Sequence, residues 1–211
     1  MIPVKVLAVQ YLSAVSPELS RALGTDEPCL GLITTASDDP TYIALDQATK
    51  DAQVTVCYGR SFYAGAGNVS TPYAGEVIGI LAGPTPGAVR SGMESALGEL
   101  ERVGFEEING VPCLAHTVSR CGSFLAKEAG VREGTPLAYL IAPPLESMYA
   151  IDAALKAADV KLCKLYSPPS ETNFGGGLLT GSQSACDAAC AAFLRAVEEV
   201  ARNPKGNTNG I

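Results

Sequence analysis

The chain has 211 residues, of which 47% are hydrophobic, so it can bury a core and has the composition of a globular protein. Its formal net charge of -7 and its 15 lysines and arginines, which form no cluster, argue against nucleic acid and other anionic partners. No segment approaches the roughly 18–20 uninterrupted apolar residues of a membrane span, and the N-terminus lacks the apolar run of a signal peptide, so we expect a cytoplasmic protein without membrane contact.

The first half of the chain alternates predicted strands and helices. Ser16 is suited to cap a short helix over Pro17–Leu23, and Gly24 is suited to end that helix with a positive φ. The order is strand, short helix, strand, helix, strand, loop, strand, helix. The strands are predicted at Val4–Tyr11, Leu30–Thr35, Val54–Tyr58 and Glu76–Leu81.

The second half repeats this order, and much of the sequence, at a nearly constant offset. ALDQATKDAQVTVC, at 44–57, lies over AIDAALKAADVKLC, 106 positions later at 150–163. Ser16 maps to Ser123 at an offset of 107, as a second N-cap, and Gly24 has Gly130 as its counterpart. The second set of strands is predicted at Cys113–Ser119, Leu137–Ala142, Lys161–Tyr166 and Leu178–Thr180.

Two α/β domains follow from the repeat, each with helices on one face of its sheet. Thr85 and Ser182, 97 residues apart, each open a last long helix, so the first copy holds roughly nine extra residues in a loop. We place the domains at 1–105 and 106–203, with the boundary in the polar stretch FEEING, and we interpret 204–211 as a disordered tail.

Cysteine and histidine offer little chemistry. Seven cysteines, an odd number without paired spacing, favour buried thiols in a reducing compartment. Cys113 and the single histidine, His116, have a spacing usable for metal, but strand alternation puts them on opposite faces, so no metal site is predicted. Cys186 and Cys190 share a helix face and are interpreted as packing residues.

Acidic residues at a strand-to-helix turn are better candidates for binding. Asp39 stands before Pro40, as an N-cap residue stands before a proline in the first helical turn, which leaves Asp38 exposed. Glu76 lies at the end of the glycine-rich loop of the first copy. These carboxylates would suit an acidic opening that selects a small cation.

The glycine-rich stretches do not match a nucleotide-binding motif. FGGGLLTGS, at Phe174–Ser182, lacks the lysine of a phosphate-binding loop, and its glycines have the wrong spacing for a dinucleotide fingerprint. FYAGAGNVSTPYAGEV, at Phe62–Val77, is its counterpart in the first copy. Two such loops in equivalent places are interpreted as surfaces that approach a partner or change shape, or as ordinary mobile loops.

Several blocks together resemble the L-type shell proteins of ethanolamine-utilisation microcompartments. AIDAALKAADV and its echo ALDQATKDAQV are similar to the helix-to-strand signature of bacterial microcompartment domains, and LGLITTASDDPTYIALDQATK and PPSETNFGGGLLTGSQSAC fit the L-type pattern. The resemblance covers about 200 residues. It implies an α/β fold of two tandem, permuted microcompartment domains, each a small, mainly antiparallel sheet with helices packed on it.

The resemblance also implies a structural protein of the microcompartment shell and not an enzyme. It would form a homotrimer whose six domains imitate a hexamer and tile edge to edge with other shell proteins, with Lys50 and Lys156 as tile-edge lysines. Two loops per subunit, over Ala64–Gly75 and Glu171–Leu179, would gate a central pore. The gating residues would be Gly65, Gly67, Asn68, Gly75, Asn173, Phe174, Gly175, Gly176 and Gly177.

A smaller pore, where the family binds ethanolamine, is implied at Asp38, Asp39, Glu76, Phe105 and Thr172. An ammonium group favours carboxylates and an aromatic face, and a hydroxyl group favours a partner such as threonine. No cofactor is required, and cobalamin is a further ligand that the resemblance implies. The alternative interpretation is a soluble trimeric small-molecule sensor or enzyme with interface pockets, to which repeats and acidic turns would be equally suited.

Overall fold

The computed structural model describes residues 1–62, 76–168, 170 and 172–206, and the predicted order of elements occurs twice. The first copy contains β1 (Val6–Leu12), α1 (Pro17–Ala22), β2 (Cys29–Thr35), α2 (Asp38–Asp51), β3 (Thr55–Ser61), β4 (Val77–Gly83) and α3 (Pro86–Leu100). The second copy contains β5 (Glu106–Ile108), β6 (Val111–Val118), α4 (Ser123–Ala129), β7 (Leu137–Ala142), α5 (Pro144–Ala157), β8 (Val160–Tyr166), β9 (Gly175–Gly181) and α6 (Gln183–Arg202). No helix in these ranges is long and apolar enough to cross a membrane.

The strands form two antiparallel sheets, which confirms the predicted α/β class. Their orders are β1-β2-β4-β3 in the first copy and β5-β6-β7-β9-β8 in the second. The register of β3 shifts between Val56 and Tyr58, and that of β8 shifts between Leu162 and Lys164. Each position is 106 residues from its counterpart, so the duplication extends to the irregularities of the edge strands.

The described residues divide into two compact units. The N-terminal unit consists of residues 3–104 and 121–127, and the C-terminal unit consists of residues 1–2, 105–120 and 128–206. Residues 121–127 therefore belong to the N-terminal unit, although the predicted division assigns them to the second copy.

In the N-terminal unit, α2 and α3 pack on one face of the sheet. The apolar residues of these helices meet alternate residues of the strands, which point to that face, in a core that includes Cys29, Ile33, Leu45, Leu81 and Met93. The opposite face is covered as well, which corrects the prediction of helices on one face only. Val15 and Leu23, on either side of α1, pack there against Leu30, Ile80 and Ala82.

In the C-terminal unit, α5 and α6 cover the sheet with small side chains. Cys186, Ala189, Cys190 and Phe193 of α6 belong to one buried core with Leu140 of β7. The interpretation of the two α6 cysteines as packing residues is therefore confirmed. Burial raises the pKa of the Cys190 thiol to about 11, so this thiol is held in its unreactive form.

The boundary stretch FEEING is not a linker. It forms β5 and the turn into β6, with Asn109 at φ 50° and Gly110 at φ 82°. Asn-Gly is the sequence that two-residue hairpin turns favour, because both residues tolerate positive φ. Three-residue strands carry too little alternation to be recognised in a sequence, so this hairpin was not predicted.

The helix ends confirm most of the predicted caps and correct that of α4. Ser16 accepts a hydrogen bond from the backbone N–H of Leu19, and Gly24 and Gly130 have φ of 69° and 66°. In α1 the N–H of residue 20 donates to the carbonyl of Ser16, and in α4 the N–H of residue 126 donates to that of Gly122. Gly122, and not Ser123, is therefore the counterpart of Ser16, at an offset of 106.

Candidate functional site

The acidic residues of the predicted small pore come together in the N-terminal unit where β2 runs into α2. The backbone N–H of Glu76 donates to the carbonyl of Thr35 over 2.8 Å, because β4 begins beside the end of β2. Asp38 and Asp39 occupy the first turn of α2, where the helix dipole favours negative charge. Three carboxylates thus share one end of the sheet.

Two expectations about this turn were wrong. The N-cap is Ser37, and Asp39 lies inside the helix. Asp38, expected to be exposed, is only 6% exposed. The reason is a local hydrogen-bond network: the Thr35 hydroxyl donates to the Ser37 carbonyl over 2.8 Å and accepts from the Ser37 N–H, so α2 starts two residues earlier than predicted.

The pKa of the Glu76 carboxyl is raised by these surroundings. Burial has the larger effect, and the negative charge of Asp38 raises the pKa further. Because the pKa of Glu76 is higher in the folded state than its ordinary value, this group stabilises the folded state at low pH. That contribution is lost as the pH rises through the raised pKa. A bound cation would reverse this cost, since it would stabilise the ionised form.

The other two predicted small-pore residues lie in the C-terminal unit. The ring centroid of Phe105 is 5.7 Å from that of Phe174, which is typical of a favourable aromatic pair. The N–H of Thr172 donates to the Ser170 hydroxyl over 3.3 Å, and the N–H of Ser170 donates to the carbonyl of Phe174. With Asn173 at φ 68°, these bonds close a tight turn that presents a hydroxyl group and an aromatic pair.

The glycine triplet lies in a strand and not in a gating loop. Gly175, Gly176 and Gly177 begin β9, which pairs with β7 on one side and β8 on the other. A Cβ atom at Gly175 would lie 2.7 Å from the Ser147 hydroxyl, and one at Gly176 would overlap the carbonyl oxygen of Leu140. The glycines are therefore required for close packing of this strand against its neighbours.

Of the remaining residues predicted to gate the pore, Asn173 and Phe174 lie in the turn before β9. Gly65, Gly67, Asn68 and Gly75 lie outside the described residues, as do Glu171 and residues 207–211 of the predicted tail.

The two predicted tile-edge lysines have different surroundings. The side chain of Lys50 is 25% exposed, and its ammonium lies 3.7 Å from the buried carboxylate of Asp46. The side chain of Lys156 is 74% exposed and pairs over 2.6 Å with Asp152, which is also exposed. Lys156 is thus available to a neighbouring molecule, whereas Lys50 also stabilises its own unit.

Asp46 has a structural role that was not predicted. Its carboxylate accepts hydrogen bonds from the backbone N–H groups of Gly122, over 2.7 Å, and Leu125, over 2.8 Å. Burial raises its pKa, while these bonds and Lys50 lower it in part. The sequence feature that points to Asp46 is the Asp-x-x-x-Lys pattern, which both copies share. Only the lysine of this pattern was assigned a role.

Within the described ranges, no three histidine, cysteine, aspartate or glutamate side chains are arranged to hold a metal ion. His116 lies in β6, paired with Tyr139 of β7.

Known proteins provide an independent comparison. Residues 29–111 match the model of the BMC domain family. The chain is 59% identical over 207 residues to the bacterial microcompartment shell protein EutL of Clostridium perfringens (strain 13 / Type A), and the match covers 95% of each chain. A crystal structure of EutL from Clostridium perfringens superposes with a TM-score of 0.95 at 57% identity, over 99% of this chain and 97% of that one. The ethanolamine utilization protein EutL from Leptotrichia buccalis C-1013-b gives a TM-score of 0.94 at 54% identity, over 97% of each chain.

Proposed function

This chain belongs to the EutL family of bacterial microcompartment shell proteins, and we propose that it forms trimeric tiles that bind ethanolamine and let small metabolites pass. As a shell protein it is a structural component and not an enzyme. The observation that carries the proposal is the 59% identity over 95% of the chain. The same identity favours a shell tile over a soluble sensor or enzyme.

The proposed tile is a homotrimer whose six domains imitate a hexamer and which assembles with other shell proteins. Two units whose four equivalent strands have the same order and whose edge strands share the same irregularity support it, because each can occupy an equivalent place in a ring. The proposed central pore would be gated by residues 64–75 and by the turn at 172–174. Cobalamin binding has no residue of this chain assigned to it.

The proposed ligand suits the acidic end of α2. Ethanolamine carries an ammonium group at neutral pH, and a cation beside three carboxylates gathered at one end of a sheet would offset their mutual repulsion. The small pore would be formed by Asp38, Asp39 and Glu76, with Phe105 and Thr172 providing an aromatic face and a hydroxyl partner.

Ethanolamine binding is expected to release protons, because a bound ammonium lowers the raised pKa of Glu76. Calorimetry in two buffers with different ionisation enthalpies, at a pH near that raised pKa, measures this release. The Glu76→Gln variant is expected to bind about ten- to a hundredfold more weakly and to lose the proton release.

The matched control is Glu94→Gln on the exposed part of α3, for which we expect unchanged binding. Equal affinity in Glu76→Gln and the wild type would refute the assignment of the site, though not the shell function. Structures of the trimer with and without ethanolamine test the gate in the same series, and an axis without an opening in either would count against a pore.

Lys156→Ala is expected to weaken the assembly of tiles into flat sheets without changing the stability of the protomer, because its salt bridge is exposed. Lys50→Ala is expected to weaken sheets and also to lower the melting temperature, since it removes the cation beside a buried carboxylate. Electron microscopy and thermal unfolding measure the two effects, with the exposed Lys127→Ala as control. Normal sheets from both variants would exclude these lysines from the tile edge.

A further inference from the structure

Two buried threonine hydroxyls join the end of β2 to the first turns of α2. Thr35 and Thr41 are both 0% exposed, and their Oγ1 atoms lie 2.8 Å apart. The Thr41 hydroxyl lies 2.7 Å from the Ser37 carbonyl, which is also within hydrogen-bond distance of the Thr35 hydroxyl. Each hydroxyl carries one proton, so two protons are shared among these three oxygen atoms. Because the Thr35 hydroxyl also accepts from the Ser37 N–H, the pair holds both polar groups of the Ser37 backbone.

Thr35 connects all three carboxylates at this end of the sheet. Its carbonyl accepts from the N–H of Glu76 over 2.8 Å, and its hydroxyl binds the residue that precedes Asp38. Asp38 and Asp39 lie in the first turn of a helix whose N-cap makes no side-chain hydrogen bond. Like charges repel, and the backbone hydrogen bonds of a helix are incomplete in its first turn. The hydroxyl pair therefore opposes a movement of the aspartates away from Glu76.

The second copy of the repeat has the same turn without the hydroxyl pair and without the carboxylates. Its helix, α5, begins at Pro144, which is 106 positions after Asp38, the first residue of α2. By this offset and by the sheet register, the replacements are Ile141 for Thr35, Pro143 for Ser37, Pro144 for Asp38, Leu145 for Asp39, Ser147 for Thr41 and Gly175 for Glu76. The molecule thus provides its own comparison, in which the hydroxyl pair and the carboxylates are lost together.

Proline explains how the second copy starts its helix without the hydroxyl pair. Pro143 and Pro144 have a fixed φ, and proline is favoured at the first position of a helix. Ser147 donates instead to the Pro144 carbonyl, over 3.0 Å. A helix can therefore begin here without a hydroxyl at the end of the strand when proline occupies the positions before and at its start. In the first copy the hydroxyl pair fixes the start of the helix and leaves its first two positions to carboxylates.

We propose that Thr35 and Thr41 are positioning residues of the cation site, which hold the first turn of α2 so that Asp38 and Glu76 act on one ammonium group. The inference rests on the proposed ethanolamine site. Both threonines are fully buried, so they act through the carboxylates and not by contact with the ligand. A primary ammonium donates three hydrogen bonds, and several carboxylates can accept them together only when their spacing is kept.

Paired substitutions separate the hydroxyl from the shape of the side chain. Thr35→Val keeps the branched shape and removes the hydroxyl, whereas Thr35→Ser keeps the hydroxyl. Calorimetry measures the Kd for ethanolamine and, in two buffers with different ionisation enthalpies, the number of protons released per bound ligand. Circular dichroism and thermal unfolding show whether each variant folds.

Thr35→Val is expected to raise the Kd for ethanolamine about tenfold, since Asp38 is no longer held beside Glu76. The protons released per ligand are expected to fall by about half at the same pH. The reason is that burial and the charge of Asp38, which both raise the pKa of Glu76, have less effect when the turn relaxes. Thr35→Ser is expected to stay within about twofold of the wild-type Kd.

The matched control is Thr180→Val, at the other end of β9 from the glycine triplet. It removes a hydroxyl that donates to the Pro136 carbonyl over 2.9 Å, and it is expected to change neither the Kd nor the proton release. Thr41→Val is expected to act in the same direction as Thr35→Val. The double variant is expected to bind no more than about threefold more weakly than Thr35→Val, because the two hydroxyls act as one unit. If Thr35→Val does not fold, Thr41→Val compared with Thr41→Ser tests the same role.

A folded Thr35→Val variant with the wild-type Kd would overturn the positioning role, and so would one that binds more weakly but releases as many protons per ligand. In both cases ethanolamine binding by the wild type would still support the proposed site. A wild-type protein that binds no ethanolamine would overturn the site and the positioning role together.

Discussion

Replacing Asp46 with alanine is expected to lower the free energy of unfolding by about 2–4 kcal/mol. The buried carboxylate accepts hydrogen bonds from the N–H groups of Gly122 and Leu125, and hydrogen bonds to a charged group contribute about 1.5–3 kcal/mol each. The desolvation that raises its pKa offsets part of this sum. Alanine would leave both N–H groups buried without this acceptor, and urea unfolding measures the loss.

Asp152→Ala is the matched control, because Asp152 holds the equivalent place in the second copy and its side chain is 62% exposed. Its surface ion pair with Lys156 is expected to contribute less than about 1 kcal/mol. Equal losses from Asp46→Ala and Asp152→Ala would contradict the structural role of Asp46.

The Asp46 effect should also depend on pH. Its folded-state pKa is raised above the ordinary aspartate value, chiefly by burial, so the folded wild type binds a proton more readily than the unfolded chain. Stability from this group is present below the ordinary pKa and is lost as the pH rises through the raised one. The difference between wild type and Asp46→Ala is therefore expected to widen on mild acidification.

Gly176→Ala is expected to destabilise the protein by about 3–5 kcal/mol or to prevent folding. Gly176 has φ +152°, a conformation that side-chain-bearing residues rarely adopt, and a Cβ atom there would overlap the Leu140 carbonyl oxygen. Gly176 is also paired with Ile141 in the middle of the sheet, so the strand cannot move away without breaking its ladder. Expression yield and urea unfolding check this result.

The control for this substitution is Gly98→Ala in α3. A Cβ atom there would meet only the end of the Arg102 side chain, at 4.0 Å. Alanine loses less conformational freedom in a helix than glycine does, so Gly98→Ala is expected to stabilise the protein by about 0.5–1 kcal/mol. A Gly176→Ala variant that folds with wild-type stability would contradict the requirement for glycine in this strand and would favour a mobile loop instead.

Structural features that depend on a few neighbouring residues were predicted correctly. Ser16 and Thr85 cap the helices that they precede, because a hydroxyl three residues before a free N–H needs no distant partner. The duplication was visible in ALDQATKDAQVTVC and AIDAALKAADVKLC, since helix and strand periodicity is written along the chain. The antiparallel sheets and the shell family were implied by the resemblance to a known family, and the structure and the relatives confirmed both.

Tertiary structure decided what depends on residues far apart in the chain. Asp46 and Asp152 occupy the same place in the repeat, yet only Asp46 is buried, because only α2 has residues 121–127 packed on it. The glycine triplet was assigned to a loop, since its composition does not reveal that the carbonyl of Leu140 occupies the space of a side chain. The sequence by itself thus determined the repeat and its elements, which rest on local periodicity and residue type, and it indicated the family by resemblance. The burial and protonation of Asp46, and the need for glycine in β9, depend on backbone groups that are distant in the chain and come into contact only in the folded protein.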